Sequence, residues 1–317
     1  MYFPVAGIEV NPLVPPLVAF AISFFTSMGG VSGAFLLLPF QVSVLGFTSP
    51  AVSSTNQLFN IVAIPSGVYR YIKEGRMLWP LTWIVIIGTL PGVLVGAIVR
   101  IKYLPDPKNF KLFAGLVLLY MGGRLLKALA FPQKNGDTPT TEERFQQRHK
   151  QQSLAAVGEA ASCEHLSCVT VRQWTPTRLV YDFYGETFTV NGVGLMALSL
   201  VVGMVGGVYG IGGGAIIAPF LVSFFGLPVY TVAGAALMGT FVTSVAGVAF
   251  YQILAPHYPG MVIAPDWLLG FLFGTGGFAG MYCGARLQKF VPAHFIKWIL
   301  AVCLLFTASK YIWSFFF

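Results

Sequence analysis

The chain has 317 residues, 56% of them hydrophobic and only 9% charged, with a formal net charge of +8 and a mean hydropathy of +0.75. This apolar content excludes a disordered chain, 4 Cys exclude a secreted disulfide scaffold, and 36 Gly without a three-residue period exclude a collagen-like one. Residues 13–69 and 187–256 contain no Asp, Glu, Lys, Arg or His, so the fold class is an all-α polytopic membrane protein and not a barrel of short alternating strands.

In chain order, no basic n-region or small-residue cleavage site accompanies the first apolar stretch, which therefore reads as a retained segment. The first half then gives apolar stretches at 13–30, 34–45, 50–71, 78–101 and 110–130. The last three reach about 20 residues, enough to cross a bilayer, whereas 34–45 is too short and reads as a half-helix after a glycine break. Between 132 and 189 the composition changes: polar and charged through Gln152, then alternating runs that predict two or three short strands in a small soluble, cytoplasmic insert. Cys163, His165 and Cys168 form one tight cluster without a second pair, a weak metal signal, and no metal or other cofactor is assigned. Cys283 and Cys303 fall in apolar stretches and read as small packing residues.

The second half repeats the first. At an offset of 180, eleven of 39 positions between Gly30 and Val68 are identical, among them Gly30/Gly210, Gly33/Gly213, Pro39/Pro219, Gly46/Gly226 and Gly67/Gly247. The organisation is therefore a first transmembrane repeat at 1–131, the insert at 132–189 and a second transmembrane repeat at 190–317, each repeat a Gly-broken helical hairpin plus three spanning helices. If the broken hairpin returns to its starting side, each half crosses an odd number of times and the repeats are inverted; a continuous broken helix would make them parallel. Charge favours the inverted arrangement. It gathers Arg70, Lys73, Arg76, the insert, Arg286, Lys289 and Lys297 on the inner side, although Arg100, Lys102, Lys108 and Lys111 then face outward.

The insert carries six Lys/Arg against seven Asp/Glu, leaving thirteen basic and four acidic residues elsewhere, so the basicity is juxtamembrane. That is an orientation and headgroup signal; a nucleic-acid partner would need a basic face on a soluble domain. The lipid bilayer is the partner that composition implies, and a homo-oligomer is compatible with it.

Chemistry concentrates at the glycine breaks. After Gly30-Val31-Ser32-Gly33 and after Gly210-Ile211-Gly212-Gly213-Gly214, a short helix restarts inside the membrane and offers its free amides and positive end to an anion. Ser32 adds a hydroxyl, whereas the equivalent Gly212 offers only backbone. The third stretch of each half adds neutral polar groups, Ser53, Asn56, Gln57 and Asn60 in one and Thr240 and Thr243 in the other. Asn56 and Asn60 share a helical face, where they either donate to an oxygen-rich ligand or bond between helices. Gly92/Gly96 and Gly280/Gly284 read instead as close helix packing. No acid or histidine lies in the spans, which disfavours a cation cargo or a proton relay, and no nucleophile, base and acid trio is visible, so the chain does not read as an enzyme.

The duplicated motif, GIGGGAIIAPFL from Gly210 to Leu221 followed by Gly-Leu-Pro and a small-residue helix, resembles the TauE/SafE (TSUP) family of membrane transporters. The resemblance covers both halves and leaves the insert outside; the first copy departs from it, with Gly-Val-Ser-Gly-Ala in place of the glycine triplet. It implies a secondary transporter in the cell (inner or plasma) membrane that exports sulfite, sulfonates or related sulfur oxyanions, with alternating access rocking one repeat against the other. An anion channel of the same fold, or a membrane sensor acting through the insert, are the alternatives.

Overall fold

The computed structural model describes residues 1–28, 32–73, 77–130, 170–175, 177–183, 186–287 and 293–316. The first half forms α1 (Val14–Met28), α2 (Ala34–Ser43), α3 (Ala51–Ala63), α4 (Pro65–Lys73), α5 (Trp79–Lys102) and α6 (Pro107–Ala130). The second forms α7 (Gly192–Tyr209), α8 (Gly213–Phe224), α9 (Val229–Leu254), α10 (Trp267–Leu287) and α11 (Ala293–Phe316). Five of the described helices, α5, α6, α7, α9 and α11, contain spans long and apolar enough to cross a membrane, while α1, α2 and α8 are shorter apolar helices. The fold is all-α and polytopic, with a small β region.

One expected helix is two. The stretch 50–71 breaks after Ala63, because Pro65 has no N–H to continue the ladder; its fixed φ instead suits the first position of the new helix α4. The N-terminal hairpin of β1 (Tyr2–Phe3) and β2 (Ile8–Glu9) was not expected either, being too short for a periodic signal. It buries Phe3 and is tied to the start of α10 by the Ala6 N–H, which donates to Asp266 Oδ2 at 3.3 Å.

Helices from the two halves pack crosswise. A Cβ on Gly276, Gly280 or Gly284 of α10 would strike the backbone of Pro16, Phe20 or Phe24 of α1, so these two helices run parallel in near backbone contact. Equivalent contacts join α5 to α7: Gly92 and Gly96 meet Leu200 and Met204, and Gly203 and Gly207 meet Thr89 and Val93. A repeat of small residues every four positions lets two backbones approach this closely, which is how membrane helices associate where lipid offers no hydrophobic drive. Helices α6 and α11 pair antiparallel, Gly115 beside Tyr311 and Gly122 beside Leu305. At offset 180, Gly46 and Gly226 both take left-handed φ, +73° and +63°, just beyond α2 and α8.

Two ends of the molecule follow. At one, the start of α3 bonds to the 261–266 loop, Ala51 N–H to the Val262 carbonyl at 3.1 Å and Ser54 Oγ to the Ile263 carbonyl at 2.8 Å, beside the C-terminal ends of α5 and α9. At the other lies the antiparallel sheet β3 (Thr170–Trp174), β4 (Arg178–Phe183) and β5 (Glu186–Asn191). It has the expected strand character, but β5 runs on to Asn191 without a linker, and the Asn191 side chain caps α7 by accepting from Val193 and Gly194 N–H at 3.1 Å. Leu179, Tyr181 and Phe183 are buried, and Tyr181 Oη lies 3.1 Å from Thr231 Oγ1, so the sheet is moored to the first turn of α9. The Cys163, His165 and Cys168 cluster lies outside the described residues. Cys283 is half-buried and Cys303 exposed on α11, so packing does not explain the latter.

Candidate functional site: the meeting of the two glycine breaks

The third helix of the first half passes between both breaks. Asn56 Nδ2 donates to the Ala34 carbonyl and to the Gly210 carbonyl, each at 3.1 Å, so one amide spans the two interruptions. One turn on, Asn60 accepts from Ser32 Oγ at 2.9 Å and donates to the Ile211 carbonyl at 3.0 Å and to Ser244 Oγ at 3.5 Å. Ser53 Oγ donates to the Val208 carbonyl at 3.1 Å. Carbonyls left without an intrahelical partner by the second break are therefore satisfied by the polar face of α3. Gln41 from α2 completes the layer, donating to Asn56 Oδ1 at 3.3 Å.

The second break is shaped by glycine for definite reasons. Gly210 has φ +84° and Gly212 φ +76°, conformations open to glycine at little cost. A Cβ on Gly210 would enter the backbone of Ser53, on Gly213 the side chain of Thr89, and on Gly214 the Ala236 carbonyl and Thr240. Gly213 N–H donates to Thr243 Oγ1 at 3.2 Å, and Thr243 and Thr240 donate to their own helix, to the carbonyls of Gly239 and Ala236. Among the described residues no other side chain caps the first turn of α8, whose N-cap Gly212 has none to offer. In the first break, Gly33 holds ordinary helical φ and its place is set by space, since a Cβ there would meet Ser23 Oγ. Gly30 lies outside the described residues.

The anticipated side chains thus converge, with one difference in role. The amide donors of Asn56 and Asn60 are committed to protein carbonyls and hydroxyls, whereas Gln57, with both side-chain polar atoms buried beside Gly247, and Ser23 Oγ, beside Gly33, have no partner among the described residues. Ser53, Asn56, Gln57, Asn60, Thr240 and Thr243 are all 0% exposed. Every one of these groups is neutral.

Two neighbours escaped the sequence reading. Arg100, taken for a membrane-end anchor, is 0% exposed: its Nε reaches Ser53 Oγ at 3.4 Å, Nη1 donates to the Leu104 carbonyl, and the guanidinium stands 3.8 Å from the Phe110 ring centroid. Tyr251 lies in the same pocket, fully buried, its hydroxyl beside Ser53 without a hydrogen bond of good geometry. No local pattern signals either burial, because the four residues around Arg100 come from separate segments.

The family profile described as Sulfite exporter TauE/SafE matches residues 16–311, taking in both halves and spanning the segment between them. The chain belongs to the TauE/SafE family. No curated protein and no solved structure matches it. Membership places this buried, neutral polar layer in an exporter-type membrane transporter, and the glycine motif that suggested the family is the break that Asn56 and Asn60 hold.

Proposed function

We propose that the chain is a secondary transporter that carries a small sulfur-containing anion, sulfite or an organosulfonate, out of the cell across the inner or plasma membrane. The anion is held where the two breaks meet, by first-turn amides and neutral donors, and no cofactor takes part. The observation that carries this reading is the complete burial of a polar, carboxylate-free layer that joins both breaks. A site sealed from both ends can be reached only by movement, which favours alternating access over a standing pore.

The two membrane halves flanking 132–189 act as inverted repeats: each contributes a broken hairpin and three crossings, and α1 on α10 has its counterpart in α7 on α5. Because these pairs join opposite halves by backbone contact, the moving bodies are the crossed pairs with their hairpins, not the sequence halves as such. The sheet 170–191 then marks the cytoplasmic end, together with Lys73 and Arg286.

Anion-dependent thermal stabilisation of the purified protein identifies the cargo, since a ligand of the folded state raises the melting temperature with its concentration. Sulfite, thiosulfate, taurine and sulfoacetate are compared with chloride. Stabilisation selective for a sulfur anion is expected; stabilisation by none of them, or by chloride equally, goes against this cargo.

A further inference from the structure

We propose that Arg100, Tyr251 and Gln57 form a second oxyanion subsite, between the glycine breaks and the 255–266 end of the molecule. The inference deepens the transporter reading, on which its sulfur cargo rests. Helices α3 and α9 face each other here: Ser53 and Gln57 are one turn apart on the first, Tyr251 and Gly247 one turn apart on the second. The Gln57 amide occupies the space a Gly247 Cβ would need, and Tyr251 neighbours both Ser53 and Arg100. Along this seam Arg100 Nη2 and the Gln57 amide are buried with no partner, and the Tyr251 hydroxyl has Ser53 beside it but no hydrogen bond of good geometry.

Buried donors are normally satisfied, and a buried guanidinium is normally paired with a carboxylate; each exception calls for a partner that comes and goes. Among the described residues no carboxylate pairs with Arg100. Serine, a carbonyl and an aromatic face hold three of its directions, and only Nη2 remains. A cation would be repelled here and a neutral solute would leave the charge unmatched, whereas an oxyanion supplies the counter-charge and accepts from all three donors. Gln57 is the link to the central site, adjacent in sequence to Asn56 and three residues before Asn60, and the backbone of Ser53 abuts Gly210.

The test is sulfite-dependent thermal stabilisation of the full-length protein and its variants in detergent, with sulfate, phosphate and chloride as parallel probes. Tyr251→Phe removes a hydroxyl with no more than a weak contact to Ser53, so its unliganded melting temperature stays close to that of the parent, and the sulfite concentration for half-maximal stabilisation rises about tenfold. Arg100→Gln erases the response and Arg100→Lys keeps part of it. Unaltered sulfite dependence in both Tyr251→Phe and Gln57→Met overturns the subsite while leaving the cargo reading intact. Stabilisation by sulfate or phosphate but not sulfite, lost in the same variants, upholds the subsite and removes sulfite as the cargo. No response of the parent protein to any of the four anions overturns the subsite.

Discussion

Asn56 Nδ2 lies 3.1 Å from the Gly210 carbonyl oxygen, a hydrogen bond between residues 154 positions apart that fastens a helix of the first half to the break of the second. Its second bond, to Ala34, reaches the other break. Asn56→Leu strands the Gly210 carbonyl, which lies past the last turn of α7 and has no intrahelical partner, at about 1–3 kcal/mol for a buried unpaired group. The expected result is a lower melting temperature in detergent with loss of transport. Asn56→Asp does worse, since it turns an oxygen charge toward two carbonyl oxygens.

The glycines divide into two kinds that mutation should separate. A side chain at Gly280 meets the Phe20 backbone, which cannot yield, so Gly280→Leu prevents accumulation of folded protein. The atoms nearest a Cβ at Gly213 are the Cβ, Cγ2 and Oγ1 of Thr89, a side chain and not backbone. Gly213→Ala is therefore expected to insert and remain monodisperse on size exclusion yet lose transport, and Thr89→Gly in the same chain to restore part of it.

The sheet is held by a titrating contact. Burial pushes the Tyr181 hydroxyl from its ordinary pKa of 10.0 up to about 12, partly offset by the bond to Thr231. Because the folded value is the higher, this contribution is fully present below pH 10 and is lost as pH rises toward 12. Protection of the β4 amides, taken relative to their intrinsic base-catalysed exchange, should fall across that window, and Tyr181→Phe should abolish the step. On the acid side Asp182, held below the usual carboxylate range by the Thr187 hydroxyl and then by Arg172, contributes above its unfolded pKa and loses that contribution as pH falls.

Among the described residues no acid or histidine lies in the central layer, so the proposed carrier is expected to work without a proton-binding side chain. An inside-negative potential drives an anion outward by about 2.3 kcal/mol per charge per 100 mV. Flux of a permanently ionised sulfonate in proteoliposomes should follow an imposed potassium-valinomycin potential, and a pH gradient at zero potential should leave it unchanged; sulfite does not suit the second arm, because it exchanges with bisulfite near neutral pH.

Much of this architecture was legible because membrane helices announce themselves: apolar runs, glycine breaks and the 180-residue offset located the helices and the residues of the central layer. The shared face of Asn56 and Asn60 followed from helical spacing alone. Their acceptors did not, since Ala34, Gly210 and Ile211 become neighbours only through folding. Arg100 misled for a physical reason. An arginine two residues from a helix end reads as a snorkelling anchor, and only the convergence of Ser53, Leu104, Phe110 and Tyr251 turns it inward.

Whether the glycine breaks hold the anion is decided by electrogenic sulfite flux in proteoliposomes, measured for the parent chain and for Gly213→Ala. Potential-driven flux that saturates with sulfite is expected in the parent, and none in the equally well-reconstituted variant. Absence of flux in the parent, or equal flux in both, would contradict an anion site at the glycine breaks.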